Sequence, residues 1–461
     1  MSKKDKELRQ QVACEWLEQN YLNWGHLRHD IVTDRLQIRC ADSTGEEAIR
    51  RGGERQERWR NLTDKDINTM VCNCVAESQV NINVSEMWTA LKSDMVPSVH
   101  PIRAWLDGLP PYTPDQPDWI DWLASQVQVA DNASSGVAWS NSGGEGSSDG
   151  TTLLNPTQPY STPTQVSSAD LYWRQCFKKW FVAMVASWMK DEVVNHTVLV
   201  FVGRQGIFKT TWMDHLIPPA LREYSSKLPL SGQISKDDRL RLCENAMLNI
   251  DELDAICGRE MNIVKSLLTS TDVNERAAYG RLKERRVRLA SFCASTNNRE
   301  FLTDVTGNRR WLPFEVESIQ NPFHITLPYE LIYAQAKALV ESGRFIYWFD
   351  LEDIEQLEKH NEEFRSQDSE EQLLPILFDV PAEGKGEFMT TAEISDKLVT
   401  YGGIKKPMAL NRLGVLLGKA GYRTVTRGSR DARVRGWIVY QRDNEQINAN
   451  RRLLIHECVT V

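Results

Sequence analysis

The segment Gly203-Arg204-Gln205-Gly206-Ile207-Phe208-Lys209-Thr210-Thr211 follows directly on an apolar run, Thr197 to Val202, and opens a helix-like stretch. A strand, a glycine-bearing loop and a helix in immediate succession narrow the fold to the α/β class. Such a loop turns successive backbone N–H groups toward one point at a helix start, where an anion is held. The spacing fits G-x-x-x-x-G-K-[ST] with one departure, Phe208, where the pattern asks for Gly because backbone and phosphate approach closely. Gly203, Gly206 and Thr211 form the candidate cradle, Lys209 is placed to reach β/γ oxygens, and Thr210 offers a hydroxyl for Mg²⁺. Phe208 is accommodated if its ring turns into the core; otherwise it weakens nucleotide binding.

Further strand-like runs, Ala246 to Ile250, Val287 to Ala294 and Trp311 to Val316, alternate with helical segments, the pattern of a largely parallel sheet. The second run ends in Asp251 and Glu252, where one carboxylate can complete a Mg²⁺ shell and the other can polarise an attacking water. The third ends near Asn297, at the edge where open α/β sheets place their ligands. Arg309 and Arg310 precede the last run, and an arginine offered to a neighbour's γ-phosphate neutralises transition-state charge. Between the acids and Asn297 lies a basic stretch with one aromatic, including Arg276, Tyr279, Arg281 and Lys283, a composition suited to a single-strand channel. A solvated surface is the competing reading of that stretch.

Upstream, Leu171, Arg174, Phe177, Phe181, Met184 and Trp188 recur at helical spacing with Trp173 and Trp180 beside them, marking a long amphipathic helix whose aromatics belong to the core. Residues 131–169 are rich in Ser, Gly, Thr and Pro and read as a linker. Residues 1–130 read as a mainly helical unit with one hairpin over Asp30 to Ile38 and capping boxes at Thr63/Asp66 and Asn83/Glu86. Nine scattered cysteines read as reduced core thiols. Residues 346–461 return to short helices, one capped by Thr390/Glu393 and one with Pro407 at its first position, followed by a hairpin, Tyr422 to Thr426 and Val434 to Tyr440. Helix, helix and hairpin in this order suggest a winged-helix-like module. Its basic residues, among them Lys405, Lys406, Arg412, Lys419, Arg427 and Arg430, gather in a protein of net charge −8, the footprint of a duplex-DNA contact. That overall charge argues against a protein that coats nucleic acid everywhere. The longest apolar run, Trp180 to Ala186, is far short of the roughly 20 residues that a spanning helix needs. The start of the chain has no apolar signal core, so the expected address is the cytoplasm.

With GRQGIFKTT, NIDELD, NERAAYGR, ASTNN and TGNRRWLPF occurring in this order, the chain from about Trp173 to Val316 resembles the virulence-associated protein E family, P-loop ATPases of phages and mobile elements related to superfamily 3 helicases. The region from His29 to Val129, with Val99-His100-Pro101-Ile102, resembles the segment that precedes the ATPase in that family. The resemblance implies an AAA+-like core working in an oligomeric ring. Lys209 and Thr210 then bind phosphate and Mg²⁺, Asp251 and Glu252 form the Walker B pair, Asn297 is sensor 1, and Arg309 or Arg310 is the finger.

The expected architecture is therefore an α/β P-loop core at 170–345 between a helical N-terminal domain and a winged-helix-like C-terminal module. The expected activity is DNA-dependent ATP hydrolysis in replication, with ATP, Mg²⁺ and DNA as ligands. The rival is a DNA-binding replication adaptor with a weak or inactive nucleotide site, which Phe208 favours. A nucleotide kinase would need a lid and an acceptor pocket, and neither has a signature here.

Overall fold

The computed structural model describes residues 3–40, 59–131, 167–228, 235–251, 253, 258–275, 283–302, 308–366, 369–382, 386–405, 407–428 and 433–447. The chain is mixed α/β and divides into two compact units, one of residues 1–295 and 314–349, the other of 296–313 and 350–461. The division at 349/350 lies close to the expected boundary at 345, whereas residues on both sides of the expected boundary at 130 belong to the first unit.

In the first unit, strands β1 (Leu27–Asp30), β2 (Arg35–Arg39), β3 (Trp59–Asn61) and β4 (Ser98–Val99) make a sheet in the order β3-β2-β1-β4. Helices Lys3–Leu17, Asp64–Ser78, Val84–Leu91, Pro101–Asp107 and Trp119–Ala124 make up most of the described part of residues 1–130, as the mainly helical reading expects, and the sheet is an addition to it. The expected hairpin is present as β1 and β2, and both capping boxes form, each side chain accepting from the third backbone N–H of its helix. The other strands are two or three residues long, too short to show a period. Strand β5 (Val127–Val129) then leaves this region to pair antiparallel with β12 (Trp311–Ile319).

The aromatic helix spans Ser168–Met189, capped by Ser167, so residues 168 and 169 belong to it rather than to a linker; the rest of the expected linker, 132–166, lies outside the described residues. Trp173, Phe177, Trp180, Phe181 and Trp188 are fully buried along it, whereas Leu171 stays exposed. Each such burial contributes on the order of 2 kcal/mol, which fixes this helix against the central sheet.

That sheet contains β6 (Val198–Val202), β7 (Ser225–Lys227), β8 (Met247–Ile250), β11 (Ser291–Thr296) and β12 (Trp311–Ile319), with the hairpin strands β9 (Asp272–Glu275) and β10 (Glu284–Val287) forming a separate pair. Its order is β5-β12-β6-β11-β8-β7, and β11 with β8 and β8 with β7 are parallel. All five residues of β6 are buried, as expected of a central strand covered on both faces. The run Val287 to Ala294, expected as one strand, is two elements with the buried Arg288 between them. Its guanidinium donates to the carbonyls of Ala290, Leu267, Leu268, Ser270 and Asn195 at 2.7–3.4 Å. Leu267 and Leu268 lie in the last turn of the helix Gly258–Thr269, whose carbonyls lack intrahelical donors. A cation there also opposes the negative end of the helix dipole.

The second unit contains the helices Leu351–Asn361, Ser369–Leu377, Thr391–Gly402 and Leu410–Lys419. Its strands are β13 (Phe378–Asp379), β14 (Glu387–Met389), β15 (Arg423–Arg427) and β16 (Val434–Gln441). The Thr390/Glu393 capping box forms. Pro407 lies upstream of the next helix, which starts at Leu410 behind Ala409. Strand β16 pairs antiparallel with β13, β14 and β15, and Trp437, Leu398, Leu413 and Leu417 pack beneath it. The seven described cysteines are free thiols; Cys72 is exposed, which corrects its reading as a core residue.

Candidate nucleotide site

The loop after β6 follows from its glycines. Gly203 has φ +152°, and a Cβ there would lie 2.7 Å from the Val316 carbonyl oxygen, so only glycine lets β6 turn so close to β12. Gly206 takes φ +86°. Phe208 caps the helix Lys209–Asp214 at φ 67°, ψ 18°, the left-handed conformation that glycine normally supplies at this position. Its ring does not enter the core. It is half-buried and meets the exposed Phe323 edge-on, with centroids 6.4 Å apart.

The Phe208 backbone carries a cost that ring packing does not remove. Replacing the residue by Gly and by Ala deletes the ring in both cases and leaves only conformation to separate them. Phe208→Gly is expected to be more stable than Phe208→Ala by about 1 kcal/mol, the reverse of their order in a helix interior, by denaturant titration of the two variants. Equal stabilities would show that the left-handed geometry is not held in solution.

Lys209 is buried, and its ammonium donates to the Gly203 and Arg204 carbonyl oxygens at 2.6 and 2.7 Å, across the mouth of the loop. Thr211 lies one turn inside the helix, its carbonyl accepting from the His215 N–H at 3.1 Å. Thr210 Oγ1 donates to Asp251 Oδ1 at 3.1 Å and also lies 3.1 Å from Ser295 Oγ, which itself bonds Asp251 Oδ1 at 3.1 Å. Because Thr210 follows β6, Asp251 follows β8 and Ser295 lies on β11, these strands finish at one edge of the sheet. Lys227, at the end of β7, donates to Asp251 Oδ2 at 2.6 Å. Partial burial opposes ionisation of Asp251. The bond to Lys227, its charge, and the Thr210 and Ser295 hydroxyls outweigh that and hold the carboxyl below its ordinary range.

The structure thus brings together Gly203, Lys209, Thr210 and Asp251 of the expected residues and adds Ser295 and Lys227. Ser295 lies within β11, whereas the expected Asn297 lies one residue beyond the strand's last residue, Thr296. Lys227 belongs to a three-residue strand with no sequence signal. Asn297 is exposed and belongs to the second unit, where Thr296 Oγ1 accepts from Asn298 N at 3.1 Å in the turn after β11. Arg309 and Arg310 lie in the 3-10 turn Asn308–Arg310, exposed and half-buried respectively. Asn361 anchors that turn, donating to the carbonyls of Asn308 and Trp311 at 2.8 and 3.0 Å.

Glu252, Arg276, Tyr279, Arg281, Lys406 and Arg430 lie outside the described residues. Lys283 is exposed immediately before β10. Lys405, Lys419 and Arg427 are exposed, and Arg412 is half-buried.

Residues 158–366 match the virulence-associated protein E-like domain. The candidate nucleotide site falls inside the matched residues, as do Asn297, Arg309 and Arg310. Among solved structures, the chain is similar to the A form apo structure of the NrS-1 C terminal region, with 11% identity, TM-score 0.43, and coverage of 92% of this chain and 99% of that one. A second apo structure of the NrS-1 C terminal region gives 12% identity, TM-score 0.38, and coverage of 90% and 96%. No curated protein matches the chain. No helix among the described residues is long and apolar enough to cross a membrane.

Proposed function

We propose that the chain is a Mg²⁺-dependent, P-loop ATPase of AAA+-like architecture that acts on DNA in the replication of a phage or mobile element, as a homo-oligomeric ring. The observation that carries this reading is the convergence of Lys209, Thr210, Ser295 and Asp251 at one sheet edge, below a loop whose Gly203 admits no side chain. Strand β11 lies between β6 and β8, so the chain order reverses there, and open α/β sheets bind ligands at such a point. The virulence-associated protein E-like domain supports the replication context. Helix, helix and hairpin in the second unit support the winged-helix-like reading of the C-terminal region.

Two hydroxyls and a carboxylate within 3.1 Å of one another are hard oxygen donors that fit Mg²⁺, with Thr210 and Asp251 as its holders. Mg²⁺ bound there would supply positive charge that polarises phosphate oxygens. Lys209 would exchange its two loop carbonyls for β/γ oxygens, carrying a full charge into a nearly dry site. Lys227 keeps Asp251 ionised until oxygen donors are needed. Glu252 would polarise the attacking water, Asn297 would orient it, and Arg309 or Arg310 would complete a neighbouring subunit's site.

Asp251→Asn is expected to abolish the gain in ADP affinity that Mg²⁺ confers on the native chain, read by calorimetric titration with and without the ion, and to stop ATP turnover. Native turnover is expected to rise with protein concentration and with single-stranded DNA. An Asp251→Asn chain with an undiminished Mg²⁺ effect would remove Asp251 from the site. Phe208 supports a second reading, a DNA-binding adaptor with a weak nucleotide site, for which native turnover would stay at background while salt-sensitive DNA binding persisted.

A further inference from the structure

The positive charge of the C-terminal region was expected to meet a duplex, yet the helix best placed for a groove is poorly equipped to do so. In Leu410–Lys419, Leu413, Leu416 and Leu417 face the core, and the outward residues are Leu410, Asn411 and Val415, with Lys419 only at the end. As cations that helix carries only the half-buried Arg412 and the terminal Lys419, while two exposed arginines, Arg423 and Arg427, lie on β15. Pairing of Arg423 with Ile438, Val425 with Gly436 and Arg427 with Val434 puts all six on one face of the sheet. Phe388 pairs with Ile438 and joins the same face, opposite the one that buries Trp437 and Val439.

Tyr440 continues this outward row and is 47% exposed, as is Val434. A Cβ at Gly436 would lie 2.6 Å from Phe388 Cζ, so the glycine opens the floor on which the Phe388 ring lies. The Arg427 guanidinium sits 4.9 Å from the centroid of that ring. Asp379, paired with Tyr440, is engaged by Arg442 at 2.8 Å. Among the described residues, this face therefore combines two arginines, one stacked on a ring, with a second exposed ring and an acid already neutralised.

We propose that this outward sheet face binds single-stranded nucleic acid, with bases stacking on the Arg427–Phe388 pair and on Tyr440, and phosphates held by Arg423. Unpaired bases offer π-faces that a duplex hides, and aromatic rings and guanidinium planes on an open sheet accept them without reading sequence. The charge on the face complements a phosphate backbone, which singles out nucleic acid over an apolar partner. The inference rests on the proposed nucleic-acid role but not on ATP hydrolysis.

The test measures fluorescence anisotropy of a labelled oligothymidylate of about 12 nucleotides with the full-length chain, without nucleotide. The comparators are an abasic strand of equal length and a hairpin duplex. Tyr440→Ala is expected to weaken oligothymidylate binding about 10-fold and leave the abasic strand unchanged. Arg423→Gln is expected to weaken both strands and reduce the salt slope by about one. Duplex affinity should be below that for the single strand and insensitive to Tyr440→Ala. A native chain that binds no oligonucleotide would overturn this proposal together with the nucleic-acid role. Normal oligothymidylate binding by Tyr440→Ala would overturn the sheet-face proposal alone, as would a change confined to oligomeric mass, which would assign the face to a second copy.

Discussion

Lys209→Ala should reduce ATP turnover by about 100-fold or more, the scale on which a preorganised charged donor acts on phosphoryl oxygens in a water-poor site. The ammonium is buried and held by two loop carbonyls, so its charge is already desolvated and aimed before a nucleotide arrives. Its removal also withdraws donors from the Gly203 and Arg204 carbonyls, a cost of about 1–2 kcal/mol. Loss of activity must therefore be separated from loss of fold. The measurement is steady-state hydrolysis beside a thermal melt and ADP titration of the same variant. A folded Lys209→Ala chain should lose turnover and nucleotide affinity together. If it turned over ATP at the native rate, the loop would not be the site.

Replacing Arg288 should be the most damaging single change to stability among those considered. Among the described residues the guanidinium has no carboxylate partner; it is solvated by carbonyls from a helix end, the approach to β6 and the start of β11. Burial draws its pKa down, the expected penalty for a cation removed from water without a counter-ion. Arg288→Met would leave those carbonyls buried without donors, at a cost of about 3 kcal/mol and a fall in Tm of roughly 5 °C. Arg288→Lys should recover little, because a single ammonium cannot span carbonyls spread around a planar fork. Thermal melts of the three chains decide the matter, and a Met variant as stable as native would show that water replaces the guanidinium.

The loop was legible in the sequence because its chemistry is local: Gly203, Lys209 and Thr210 lie within eight consecutive residues, and their spacing states their geometry. Capping boxes at Thr63, Asn83 and Thr390 were legible for the same reason, since each joins residues three apart. What could not be read depended on distant partners. Strands β3, β4, β5 and β7 have two or three residues, and only their neighbours make them strands. Ser295 acquires its place from Thr210, 85 positions earlier, and Lys227 acquires its from Asp251. The side to which the Phe208 ring turns was set by Phe323, a residue with no motif around it. Arg288 looked like part of a strand because its flanks are apolar, and only the helix end beside it makes a turn there favourable.

Strand β5 has a consequence for how this protein can be taken apart. It is contributed by the first 131 residues yet hydrogen-bonds to β12, so it forms the outer boundary of the sheet that holds the loop. A fragment beginning at the aromatic helix would carry the entire phosphate-loop motif but leave the flank of β12 bare. Bare backbone donors and acceptors are a template for a foreign strand. Such a fragment would be drawn toward pairing with its own copies, and an assembly seen in it would report a missing hem rather than a ring.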